Sequence, residues 1–234
     1  MLSAALLALL AQNKNVYPLA PAIKTPIIAV DTSAYPEGRD WGHDARRVAE
    51  KWFPIVTTLL ATDGRDPLTG KLKGGAYRPP TVVSLIIKPF EGAPAYASGP
   101  AITIQSEWIK SHPEDLGMVV HELTHVIQSY PDSEQKPGWL VEGIADYIRW
   151  WRYEPELQSG RGRTKIEPGK SKYTDGYRTT ALWLAWASRK YNMALVPCLD
   201  LALRNAEDPM PQFSRVTGKD ANALWEEFVE EVND

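Results

Sequence analysis

Two pairs of side chains, each four residues apart, constrain this chain more than its composition does. His121 and His125 bracket Glu122 in His-Glu-Leu-Thr-His, and Glu142 and Asp146 follow in Gly-Trp-Leu-Val-Glu-Gly-Ile-Ala-Asp-Tyr. Residues four apart on an α-helix share one face, a turn apart. Apolar residues recur at helical spacing through both segments: Leu116, Val119, Val120, Leu123 and Val126 in the first, Leu140, Ile144 and Ile148 in the second. The pattern predicts one helix with Pro113 in its first turn, running to about residue 129, and another opened by Pro137, running to about residue 151. A short reversal over residues 130–136 brings the second helix back across the first. The expectation is two packed helices with these polar side chains facing each other.

Those side chains suit a metal ion. His121 and His125 can each present a ring nitrogen to one ion, while Glu122 is turned by about 100° on the helix and stands beside it. That is the placement of a general base acting on a metal-bound water. Catalytic zinc takes three protein ligands and keeps a fourth position for water. Glu142, seventeen residues after His125, is the best third ligand. Asp146, on the same face, suits the remaining N–H of a zinc histidine, fixing its tautomer; direct ligation by Asp146 is the alternative. The longer motif with Gly at 128 and His at 131 is excluded, because the chain has Gln128 and Pro131. A site with an upstream cysteine ligand is excluded too, since the single cysteine, Cys198, lies downstream and is expected to be a buried small hydrophobe. Gly143 sits mid-helix, where glycine costs about 1 kcal/mol relative to alanine, so it is expected to mark a close helix approach.

The rest of the chain reads as strands first and helices later, which predicts an α+β fold. Ile27-Ile28-Ala29-Val30 is a strand; Asp40 is an N-cap for a helix to about residue 61, with Pro54 kinking or splitting it. Residues 63–80 form a loop, residues 81–88 a buried strand, and Ala101–Gln105 another strand. A third long helix covers about residues 175–191, and the last opens at Asp220. Nine tryptophans and ten tyrosines can fill a core or line a cleft. The net charge of -3, with mixed signs, gives no support for nucleic-acid binding. The apolar run from Leu2 to Ala11 is too short to span a bilayer and fits a secretory leader, with Ala11-Gln12 as a cleavage point; an N-terminal amphipathic or docking helix is the alternative.

Three blocks together resemble a known family: residues 117–128 around His121-Glu122-Leu123-Thr124-His125, residues 137–149 around Glu142 and Asp146, and Gly176-Tyr177-Arg178-Thr179-Thr180-Ala181. They are similar to the plant basic secretory proteins, a family of zinc peptidases, over about residue 27 to the C-terminus. The resemblance implies a zincin-like fold of the gluzincin kind, with a glutamate on the second helix as third ligand. The spacing of Glu142 and Asp146 also looks like that of thermolysin-type peptidases. The chain departs from the family in being slightly acidic.

Amide hydrolysis also needs a donor for the developing oxyanion. His43 and His112 read as exposed or capping residues, so tyrosine is the better source: Tyr177 first, Tyr173 second. Zincin folds commonly set an edge strand beside the metal where peptide can pair, and Ala101–Gln105 is the candidate. The basic loop over residues 161–172 reads as solvated, and Trp183 and Trp186 as core. The reading is a leader and irregular segment over residues 1–25 and one domain over 26–234. It is a secreted monomeric zinc peptidase without a membrane span, acting on peptide or protein through a zinc-bound water activated by Glu122. Its rivals are a non-catalytic binder of peptide or cell-wall polymer and a hydrolase of non-peptide amides.

Overall fold

The computed structural model describes residues 23–155 and 164–233; the expected leader and part of the basic loop lie outside them. Strand β1 (Ile27–Asp31) leads through a 3-10 turn into helix α1 (Arg39–Leu59), and β2 (Val82–Lys88) returns parallel to β1. A parallel pair requires such a crossover. Gly42, Ala45, Ala49, Phe53 and Val56 are the buried stripe of α1. The helix begins one residue before Asp40, which therefore lies in the first turn and is not the cap. Pro54 does not split it, and the Pro54 carbonyl accepts the hydroxyls of Thr57 and Thr58 at 2.9 and 2.8 Å.

Two more strands, β3 (Ala95–Ser98) and β4 (Ala101–Gln105), complete a four-stranded mixed sheet in the order β1-β2-β4-β3. β4 runs parallel to β2, and β3 is antiparallel to β4. The expected edge strand, Ala101–Gln105, is thus interior, and the edges are β1 and, next to Ala101–Gln105, β3. Val83, Leu85, Ile87, Ile102 and Ile104 are fully buried and form the apolar face of the sheet.

Helices fill the remainder: α2 (Ser106–Ser111), α3 (Gly117–Gln128), α4 (Gly138–Ile148), α5 (Tyr177–Lys190), α6 (Leu195–Arg204), α7 (Pro211–Thr217) and α8 (Ala221–Asn233). Pro113 does not open the histidine helix. A separate short helix precedes it, and α3 starts at Gly117, where Asp115 Oδ1 accepts the Met118 N–H at 3.3 Å. Ser129, in the left-handed region at φ 35°, ends α3. Pro137 caps α4 as expected, and a single π turn (Arg149–Tyr153) follows it. α4 packs closely on α5 at Gly143, where a Cβ would stand 2.3 Å from Thr180 Cγ2. Asp220 caps α8 through the Ala223 N–H at 2.9 Å. Trp183 and Trp186 are core residues, and Cys198 is buried. One apolar cluster joins the sheet to the helices, so α3 is held between them.

Candidate metal centre

The buried face of α3 and the first turns of α4 converge on one point. His121 Nε2 and His125 Nε2 are 3.1 Å apart, and each lies 3.3 Å from Glu142 Oε2. Ligand atoms around a tetrahedral zinc stand roughly 3.3–3.5 Å from one another, given bonds of about 2.0–2.2 Å. The triangle therefore has the size of a metal site, and among the described residues His121, His125 and Glu142 form the group able to hold an ion.

The outer nitrogens explain why. His121 Nδ1 lies 2.8 Å from Asp146 Oδ1, and His125 Nδ1 lies 2.7 Å from Gln128 Oε1. Both partners are acceptors, so both Nδ1 atoms carry hydrogen and donate it. In neutral rings the Nε2 atoms then present lone pairs to a carboxylate oxygen, three acceptors around one point. Such a cluster needs a cation at its centre, whether a proton or a metal ion. Burial opposes a charge on His121, but hydrogen bonds to Asp146 and Glu142 outweigh it and carry the ring up to about 9. Burial likewise pushes the Glu142 carboxyl up, but hydrogen bonds from the two histidines pull it down to about 2. Asp146 sits outside the triangle, on the far nitrogen of His121.

Glu122 shares α3 with the histidines but faces the sheet edge, at 7% exposure. Burial pushes its carboxyl above the ordinary range, and Glu142 adds to this. The two histidines and the Ala97 backbone N–H of β3 pull it back without cancelling the rise. A cleft of about 670 Å³ opens over the triangle, bounded by Ala95 and Tyr96 of β3, Met118 of α3, Trp150, and the start of α5. A second cavity, of about 500 Å³, lies past His125 beside Ala97, Gln128 and Val141. Behind the cleft, Arg149 pairs with Asp115 and Glu154, tying the start of α3 to the π turn after α4. Gly117 makes room there, since a Cβ would lie 2.1 Å from a Glu154 oxygen.

Tyr177 stands at the mouth, 56% exposed, its ring parallel to His121 at 11° and 6.5 Å. Tyr173 does not line the cleft. Its hydroxyl donates to Asn222 at 3.0 Å, and its ring packs on Trp139, Trp183 and Trp225. His43 is exposed on α1, and His112 stacks on Trp108 at 4.0 Å.

The profile of the family described as peptidases of plants and bacteria, BSP, matches residues 41–228, most of the chain. The chain belongs to this family. No curated protein and no solved structure matches it. The match spans all four strands but β1, the whole triangle and the Tyr177 block, so the family match and the three residues that could hold a metal share one region of the fold. Among the described residues no helix is long and apolar enough to cross a membrane. In the sequence of this BSP-family chain Gln128 serves only to exclude the longer histidine motif and is given no place in the site. Its one local signal is the three-residue spacing from His125, which puts the two on one helix face.

Proposed function

We propose that the protein is a zinc-dependent peptidase of the zincin type, with His121, His125 and Glu142 as ligands and Glu122 as general base. The observation that carries this reading is the convergence of three acceptor atoms, spaced for a tetrahedral ion, with a buried carboxylate beside them. Bound zinc supplies a Lewis acid that makes water a usable nucleophile near neutral pH. Glu122 takes the proton of the attacking water and returns it to the leaving amine, a task favoured by a carboxyl held above its ordinary range. Asp146 holds the His121 ring in the tautomer that leaves Nε2 for the ion. The Tyr177 hydroxyl donates to the oxygen on which negative charge develops.

The substrate backbone pairs with β3, an edge strand, and lies across both cavities. Antiparallel pairing, the more stable kind, would set the carboxyl side of the scissile bond in the larger cleft. The same reading takes the enzyme as a secreted monomer acting on peptides or proteins.

The test is metal analysis joined to digestion of a peptide library, with and without chelator. Glu122→Gln is expected to retain zinc and fold while turnover falls by about 10²-fold or more. Unchanged turnover would remove Glu122 from the chemistry. Cleavage that survives complete removal of metal would reject the zinc reading.

A further inference from the structure

We propose that Gln128 is a positioning residue of the metal centre, fixing the tautomer of His125 and tying that ligand to the backbone beside Glu142. The inference rests on the metal reading above. Gln128 is the last residue of α3, and its side chain is 2% exposed with both ends of its amide engaged. Nε2 donates to the Val141 carbonyl at 3.0 Å, and Oε1 lies 2.7 Å from His125 Nδ1.

Partner chemistry sets which way the amide points. A carbonyl oxygen only accepts, so the nitrogen end must face Val141. The oxygen end then faces His125, and Nδ1 must carry the hydrogen. The lone pair of the neutral ring is left on Nε2, inside the triangle. Because Val141 is the neighbour of Glu142, one side chain sets both the ring of the second ligand and the approach of the third.

The two histidines are thus held by different chemistry, a carboxylate at His121 and a neutral amide at His125. Glu142, Asp146 and Glu122 already gather three carboxylates around the triangle, so a neutral amide at His125 fixes the ring without adding a fourth. A role in joining α3 to α4 alone would require the Val141 bond but not the His125 bond, and the two can be separated.

Three variants do this, read by imidazole ¹⁵N NMR on metal-free protein and by zinc affinity in chelator competition. Gln128→Leu removes both bonds. Gln128→Asn has an amide one methylene too short to span both partners, and it serves if the leucine variant does not fold. Both are expected to lose the single Nδ1–H form of His125 and to bind zinc about 10–100-fold more weakly. Gln128→Glu keeps an acceptor for Nδ1 but sets a second acceptor against the Val141 carbonyl, so it should retain the Nδ1–H form and recover only part of the affinity. Variants that melt at lower temperature with tautomer and affinity unchanged would overturn the proposal and leave Gln128 a structural staple. Wild-type protein that takes up no zinc would instead defeat the metal reading itself.

Discussion

Tyr177 has a backbone that a tyrosine rarely adopts. Its φ is 44°, in the left-handed region, directly after Gly176 at φ 79°. A non-glycine residue there costs of order 1–3 kcal/mol and persists only where its surroundings enforce it. The result is that α5 starts with a large, exposed ring laid parallel to His121. Glu142 foremost, with burial, Asp146 and Glu122, pushes the phenol above its ordinary value, so it remains a proton donor at neutral pH. Tyr177→Phe keeps the ring and removes only the hydroxyl. Turnover on the best library peptide should fall by about 10²-fold, or about 3 kcal/mol, with zinc content unchanged. Equal turnover in mutant and wild type would mean that the ring only walls the cleft. Most of this site was legible at the residue scale, because helical spacing alone puts His121 with His125 and Glu142 with Asp146. Gln128 was not legible in that way, since its meaning depends on a backbone carbonyl thirteen residues later.

At the scale of elements, the sequence misleads where a segment is defined by its partner. Ala-Tyr-Ala-Ser has one residue with strong strand preference and is four residues long. It becomes β3 by pairing with β4, and so it takes the edge position expected of Ala101–Gln105. Pro113 suits a first turn equally well, yet Asp115 provides the side-chain acceptor at the start of α3. Gly143, by contrast, carried a readable local cost, and its reason is Thr180. Thr180 cannot swing aside, because it is β-branched and its hydroxyl donates to the Tyr173 carbonyl. Gly143→Ala gains about 1 kcal/mol of helix propensity but meets an overpacking cost of about 1–3 kcal/mol. We expect a net loss of stability in urea denaturation, and a smaller loss when the same change is made in a Thr180→Ala background. A stabilised Gly143→Ala protein would show that α4 and α5 tolerate separation.

At the scale of the whole molecule, the far end of α3 is anchored by charge buried in the core. Asp200 is fully buried, and its carboxylate accepts Arg204 Nε at 2.7 Å, the Tyr130 hydroxyl at 2.8 Å and the Ala61 N–H at 2.9 Å. Arg204 also donates to the carbonyls of Ile127 and Gln128 at 3.0 and 3.3 Å, the last of α3. One ion pair on α6 thereby gathers the end of the histidine helix α3, the loop after it and the chain leaving α1. Nothing in the local pattern signals this, since Asp and Arg four apart usually form an exposed pair of small value. Burial changes the magnitude. Asp200→Ala leaves Arg204 uncompensated in the interior and should cost about 3–5 kcal/mol, read from the urea midpoint at constant slope. Replacing both residues, as Asp200→Leu with Arg204→Met, should cost less than the sum of the single changes, because no lone charge remains. It should not restore wild-type stability, because the Ala61 N–H, the Tyr130 hydroxyl and the two α3 carbonyls still lose their partners. A single Asp200→Ala change costing under about 1 kcal/mol would mean that water reaches Arg204, and that the end of α3 is held by apolar packing alone.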